Sequence, residues 1–124
     1  MKKLSIIIPC YNEQESLPLF YPAVKKIVKK IPVEPEYIFV NDGSSDDTLK
    51  ELKKIQQEDK EHVHYISFSR NFGKEAALYA GLQAATGDLV VVMDADLQDP
   101  PELLIEMYYL IKTGEWDIVG CRRV

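Results

Sequence analysis

Short apolar runs alternate along this chain with longer stretches whose apolar residues recur at helical spacing. Leu4 to Pro9, Tyr37 to Val40, Val63 to Phe68 and Leu89 to Met93 are mostly apolar and rich in β-branched or aromatic residues. Runs of that length, bounded by polar and turn residues, predict strands buried on both faces, the kind found inside a parallel sheet. Asp117 to Gly120 predicts a short fifth strand. Between the first two runs, Leu17, Phe20, Val24, Ile27, Val28 and Ile31 predict a helix from about Ser16 to Lys30. Pro18 suits its first turn, but Pro22 lies further in, so a late or irregular start is expected. Ile31 to Pro35, with two prolines, predicts a connector. Leu49, Leu52 and Ile55 predict a second helix capped by Ser45 or Asp46. A third helix, from about Lys74 to Ala85, is rich in alanine and carries Gly81, so it can approach the sheet closely; Thr86-Gly87 ends it, with Gly87 as its C′ residue. Pro101 opens a fourth helix reaching about Lys112. The order βαβαβαβαβ predicts an α/β fold: a mostly parallel sheet with helices on both faces.

Length and charge narrow the reading. With 124 residues and 46% hydrophobic content, residues 1–124 are expected to form one domain with a real core. A formal net charge of −5 argues against a nucleic-acid surface, which needs a clustered basic face. Lys25, Lys26, Lys29 and Lys30 read as the solvated face of the first helix, with contact to an anionic membrane the lesser reading. No apolar stretch approaches bilayer length, and Ser5 to Pro9 is too short for a signal-peptide core. Cys10 and Cys121 lack metal-ligand spacing, which predicts a cytoplasmic chain with buried, inert thiols.

The candidate chemistry lies just after the strands, hence on one edge of the sheet, where open α/β sheets bind ligands. The fourth run ends on Asp94 and Asp96. While extended geometry lasts, these carboxylates share one side, and hard oxygen donors so placed suit Mg²⁺ or Mn²⁺. The plainer reading makes them solvated turn residues, with Asp99 capping the next helix. His62 and His64 hint weakly at a metal pair beside an exposed strand end. A phosphohydrolase of the haloacid-dehalogenase type also carries D-x-D after a strand, but there the motif follows the first strand. No Gly-Lys-Ser/Thr phosphate loop is present.

Four segments then match one family in order: Ile8-Pro9-Cys10-Tyr11-Asn12-Glu13, Val40 to Thr48, Ser69 to Ala76, and Gly87 to Leu103 with Asp94-Ala95-Asp96-Leu97-Gln98-Asp99-Pro100-Pro101. The chain resembles family-2 glycosyltransferases of the GT-A fold, in particular the dolichyl- and polyprenyl-phosphate sugar transferases of cell-envelope polysaccharide synthesis. The resemblance implies a Rossmann-like nucleotide-sugar half and a divalent-metal-dependent, inverting transfer from a nucleoside-diphosphate sugar to a polyprenyl phosphate. It puts Pro9, Tyr11, Glu13, Asp42 and Asp94 at the nucleotide, with Tyr11 against the base, Glu13 at a ribose hydroxyl and Asp42 at the base. Asp94, Asp96 and Gln98 would hold Mg²⁺ or Mn²⁺, and Arg70 and Lys74 would face the diphosphate or the acceptor phosphate. Taken without the resemblance, Glu13 reads equally as an acid near a helix start and Arg70 as a solvated loop charge.

Gly120 to Val124 resembles the family's Gly-x-Arg region, where the family goes on to acceptor-binding elements. A domain truncated at its carboxyl end is therefore expected, with the catalytic base beyond Val124 and no residue here assigned to it. An uncovered sheet edge would favour a homo-oligomer. The competing reading is a module that binds nucleotide sugar without turnover. The expected location is cytoplasmic, peripheral at the membrane face where the acceptor lies.

Overall fold

The computed structural model describes residues 1–96, 98, 100–112 and 118–121. Its elements follow the expected order: β1 (Lys2–Cys10), α1 (Leu17–Val28), β2 (Val33–Asn41), α2 (Thr48–Glu58), β3 (Val63–Ser67), α3 (Lys74–Ala84), β4 (Leu89–Met93), α4 (Leu103–Lys112) and β5 (Ile118–Cys121). All strand pairs are parallel, in the order β3-β2-β1-β4-β5. The most apolar run is therefore the central strand, with β2 on one side and β4 on the other. Asp99, Asp117 and Arg122 to Val124 lie outside the described residues, so their expected roles as helix cap, strand start and Gly-x-Arg tail do too.

Alternation along β1 sorts the core into two layers. Leu4, Ile6, Ile8 and Cys10 point to one face and pack with Leu17, Phe20 and Val24 of α1, Leu52 and Ile55 of α2, and Leu104 and Met107 of α4. The rings of Tyr21, Tyr37 and Phe39 meet edge-on in this layer, with Tyr21–Tyr37 centroids 5.4 Å apart. α3 covers the other face with Ala77, against Ile38 and Val40. The small residues have the predicted effect: a Cβ built on Gly81 would lie 2.4 Å from Cγ2 of Ile7. Helices on both faces of a parallel sheet are thus observed as expected.

Four details of the elements differ from expectation, the first being that α3 is capped by Ala85, so Gly87 is not its C′ residue. β2 begins at Val33, so Pro35 lies inside a strand rather than in a connector. β3 pairs with β2 only from Tyr37 onward, so the first residues of β2 have an open side where a missing N–H is tolerated. α1 starts at Leu17 and continues through Pro22. The bond Pro22 cannot donate would have gone to the carbonyl of Pro18, and both prolines are exposed. α2 buries Thr48 completely, while Leu49 is only half-buried.

One connection breaks a rule of hand. The steps β1–α1–β2 and β4–α4–β5 run in opposite directions along the sheet, yet α1 and α4 lie on the same face. Those two crossovers therefore have opposite hands, and the α2 and α3 crossovers share the hand of the first.

Candidate active site

The chain leaves β1 for β2 and β3 on one side and returns to β4 on the other. The crevice between the carboxyl ends of β1 and β4 is thus the topological switch point, where open α/β sheets bind ligands. An opening of about 150 Å³ lies there, lined by Pro9, Cys10, Tyr11, Glu13, Asp42, Lys74, Asp94, Ala95 and Asp96.

Each wall is held by hydrogen bonds between loops that are distant in sequence. After β1, Asn12 takes a left-handed conformation (φ 53°) that asparagine tolerates better than most residues. Its amide donates to Oγ of Ser44 (2.9 Å), and its side-chain oxygen accepts from the Ser45 amide (2.8 Å). The Glu13 amide donates to the buried Thr48 hydroxyl (2.9 Å), which itself donates to Asp46. Asp46 also accepts from the Thr48 amide (2.9 Å), so it serves the start of α2 as expected, one residue before the formal cap, Asp47.

The loop after β2 is pressed against the loop after β3. Gly43 has φ +66°, and a Cβ there would lie 2.1 Å from the backbone carbon of Arg70, so glycine is required twice over. Asp42, 4% exposed, accepts from the amides of Phe72 (2.8 Å) and Gly73 (3.1 Å) and from Nδ2 of Asn71 (3.3 Å). The carboxylate expected to meet the base therefore also organises the loop that carries Lys74. That task was not legible in the sequence, because nothing in the chain's order says which loop lies beside Asp42.

β4 ends at Met93, and Ala95 and Asp96 already form a turn, so period-two alternation does not place the two aspartates. The turn does: Ala95 is buried, and Asp94 and Asp96 both line the opening. The Lys74 ammonium forms a short ion pair with Asp94 Oδ1. Glu13 completes an acidic group. Its pKa is raised chiefly by burial, then by Asp96 and, less, by Asp94 and Asp46, against a lowering hydrogen bond from Ser16. Its Oε2 is buried without a partner. Glu13, Asp94 and Asp96 line one opening, and the aspartates raise the cost of charging Glu13, though among the described residues the three sets of ligand atoms do not all lie within 4.8 Å of one another. Hard oxygens so placed suit a cation that draws them in, and the orphaned Glu13 oxygen suits a hydroxyl donor.

Two of the expected residues stand apart. Gln98 is exposed and does not line the opening, though its backbone amide donates to Asp96 Oδ1 (3.1 Å). Arg70 is exposed as well, its guanidinium 4.7 Å from the centre of the Phe72 ring. Cys10 lines the opening although it was expected to be only a buried thiol. Burial, then Glu13 and Asp94, push its thiol upward, which keeps it protonated. Glu34, Glu61 and His62 bring ligand atoms within 4.8 Å of one another at the opposite, amino end of the strands, without His64.

Comparison with known proteins agrees with this geometry. The model of glycosyl transferase family 2 matches residues 5–124. The chain is 42% identical to an undecaprenyl-phosphate 4-deoxy-4-formamido-L-arabinose transferase of Photorhabdus laumondii over 99% of this chain and 38% of the relative. It is 45% identical to a bactoprenol glucosyl transferase of Shigella phage SfX over 98% of this chain and 39% of the relative. The chain thus spans less than two-fifths of the length of these relatives. A mannosyltransferase of Pyrobaculum calidifontis, solved with GDP-Man and Mn²⁺, superposes with a TM-score of 0.62 at 25% identity, over 77% of this chain and 28% of that one. The switch-point opening, its carboxylates and the family match together show that this chain belongs to glycosyl transferase family 2, with the α/β sheet of the GT-A fold.

Proposed function

We propose that this chain forms the donor site of a transferase that moves a sugar from a nucleoside-diphosphate sugar to a polyprenyl phosphate, with inversion and with a divalent cation. The observation that carries the reading is the convergence of Pro9, Tyr11, Glu13, Asp42, Lys74, Asp94 and Asp96 on one opening. The polyprenyl acceptor is supported by the names of the two relatives, the cation by the Mn²⁺ in the mannosyltransferase complex. Such an acceptor would meet the site at a membrane surface. Among the described residues no helix is long and apolar enough to cross one.

The residues present fit a cation. Asp94 and Asp96 supply hard oxygens on a turn without enclosing an ion, and Gln98 lies close enough in sequence for a further ligand. A bound cation would stabilise charge on the departing diphosphate as a Lewis acid. Lys74, at the first turn of α3 and paired with Asp94, can then turn its ammonium to a phosphate oxygen. Tyr11, half exposed at the rim, presents a ring face for the base. The unpartnered Glu13 oxygen is the natural acceptor for a ribose hydroxyl.

The test is calorimetric titration with UDP, GDP and their sugars, with Mn²⁺ and with EDTA. Saturable binding is expected only with the cation. Asp96→Asn is expected to weaken it by about 1–3 kcal/mol, as for the loss of a hydrogen bond to a charged group. Unchanged affinity in EDTA would remove the metal from this reading.

A further inference from the structure

At the other end of the sheet, the last turn of α1 and the first residues of β2 enclose a second cavity of about 330 Å³. That volume lies within the range of small-molecule sites. Val28, Ile31 and Val33, each at most 6% exposed, give it apolar walls. Lys25, in the last turn of α1, and Lys29, four residues on at its C-cap, also line the cavity. Neither lysine forms a salt bridge among the described residues. The last carbonyls of the helix do not need them, since those of Lys25, Ile27 and Val28 accept from the amides of Lys29, Lys30 and Ile31.

The most buried lining side chain carries the argument. Tyr37 is 1% exposed, and its hydroxyl is buried without a hydrogen-bond partner. Buried donors left without an acceptor are rare in native interiors. The carboxylate in the cavity lining, Asp59, is already engaged: Oδ2 accepts from the Tyr21 hydroxyl at 3.2 Å, and Oδ1 lies 2.8 Å from Nδ1 of His62. The cavity thus offers a free phenolic donor, an apolar body and two cations, with the Asp59 carboxylate also in its lining. Lys25 lies 5.6 Å from the centre of the Tyr21 ring, which leaves Lys29 the less engaged of the two.

We propose that this cavity binds a small amphiphilic anion: its head group at Lys25 and Lys29, its apolar body against Val28, Ile31 and Val33, and an oxygen at its far end accepting from Tyr37. The site lies at the opposite end of the strands from the donor opening and does not depend on what that opening binds.

The test uses three probes of equal chain length: 7-oxooctanoate, octanoate and 2-octanone. Binding is followed through backbone amide shifts of Val28, Val33 and Tyr37, with Tyr11, Asp42 and Asp94 as the control region. The keto acid is expected to bind most tightly. Losing the head group, or making Lys29→Gln, is expected to weaken it about tenfold. Tyr37→Phe is expected to abolish the difference between the keto acid and octanoate. Without ligand it should hold or raise the melting temperature, because it deletes an unpaired donor. Vesicles of phosphatidylglycerol form the membrane arm: displacement of the keto acid assigns the natural anion to a lipid, and no displacement assigns it to a soluble acid, the site standing in either case. No saturable binding by any probe, equal binding in both variants, or competition by UDP would overturn the proposal.

Discussion

At Asp42 one side chain has two tasks, and the structure changes what its removal should do. Its buried carboxylate holds the amides of Phe72 and Gly73 and the side chain of Asn71, so it fixes the loop from which Lys74 extends. Asp42→Ala leaves those part-buried donors without a charged acceptor, which should destabilise the fold by at most about 1.5–3 kcal/mol, since water can reach some of them. Urea denaturation would measure that loss. The same variant should weaken nucleoside diphosphate and inorganic pyrophosphate together, because the base wall and the phosphate-facing lysine both depend on the loop. Pyrophosphate affinity left intact would confine Asp42 to base recognition. A carboxylate after a buried strand announces a site residue, but its burial against a loop thirty positions on is visible only in the folded chain.

Between elements, two contacts decide how α3 and its following turn are seated. Gly81 lets α3 lie against Ile7 of β1, where a Cβ would stand 2.4 Å from Cγ2. Ile7 is fully buried and has little room to turn, so Gly81→Ala should destabilise by about 1–3 kcal/mol, and Ile7→Ala, which removes the Cγ2 in the way, should cost less in that background than in the native chain. Thermal melts of the single and double variants check this; additive losses would mean that the two residues do not meet. The second contact is Glu36. Burial alone would raise its pKa, but the Thr86 amide (2.9 Å), the Ser5 hydroxyl (2.7 Å), the Thr86 hydroxyl (2.8 Å) and Lys3 (3.2 Å) outweigh that and hold it at about 2, below its usual 4.5. A depressed folded-state value stabilises above the unfolded pKa and is lost as pH falls through the folded one. Glu36 should therefore contribute at most about 3 kcal/mol near neutrality, lost between about pH 4.5 and 2. Urea midpoints across that window should fall more steeply for the native chain than for Glu36→Gln.

On the scale of the molecule, the donor opening draws on the loops after β1, β2, β3 and β4, and all of them are present here. Among the residues discussed, only Arg70 and Lys74 are candidates to face an acceptor, and none is assigned to take its proton. Residues 1–124 are therefore expected to bind donor with Mn²⁺ but to transfer sugar slowly to a short polyprenyl phosphate, chiefly for want of a platform that positions the acceptor. The acceptor's phosphate is already ionised and needs less help than the ~10²–10⁴-fold a general base contributes. Rapid, Mn²⁺-dependent transfer would show the catalytic set to be complete in these residues. The apolar runs and helical spacings by themselves determined the element order, the parallel sheet and the edge that carries the chemistry, because burial on both faces and crossover connections leave few alternatives. The four loop segments determined the family and most residues of the opening. Tertiary structure alone decided the rest: Pro35 inside β2, the side chosen by α4, the turn that aims Asp94 and Asp96, Lys74 on Asp94, and the far cavity with the unpaired Tyr37 hydroxyl. Each depends on contacts between segments far apart in sequence, and local periodicity carries no record of which distant segment a side chain will meet.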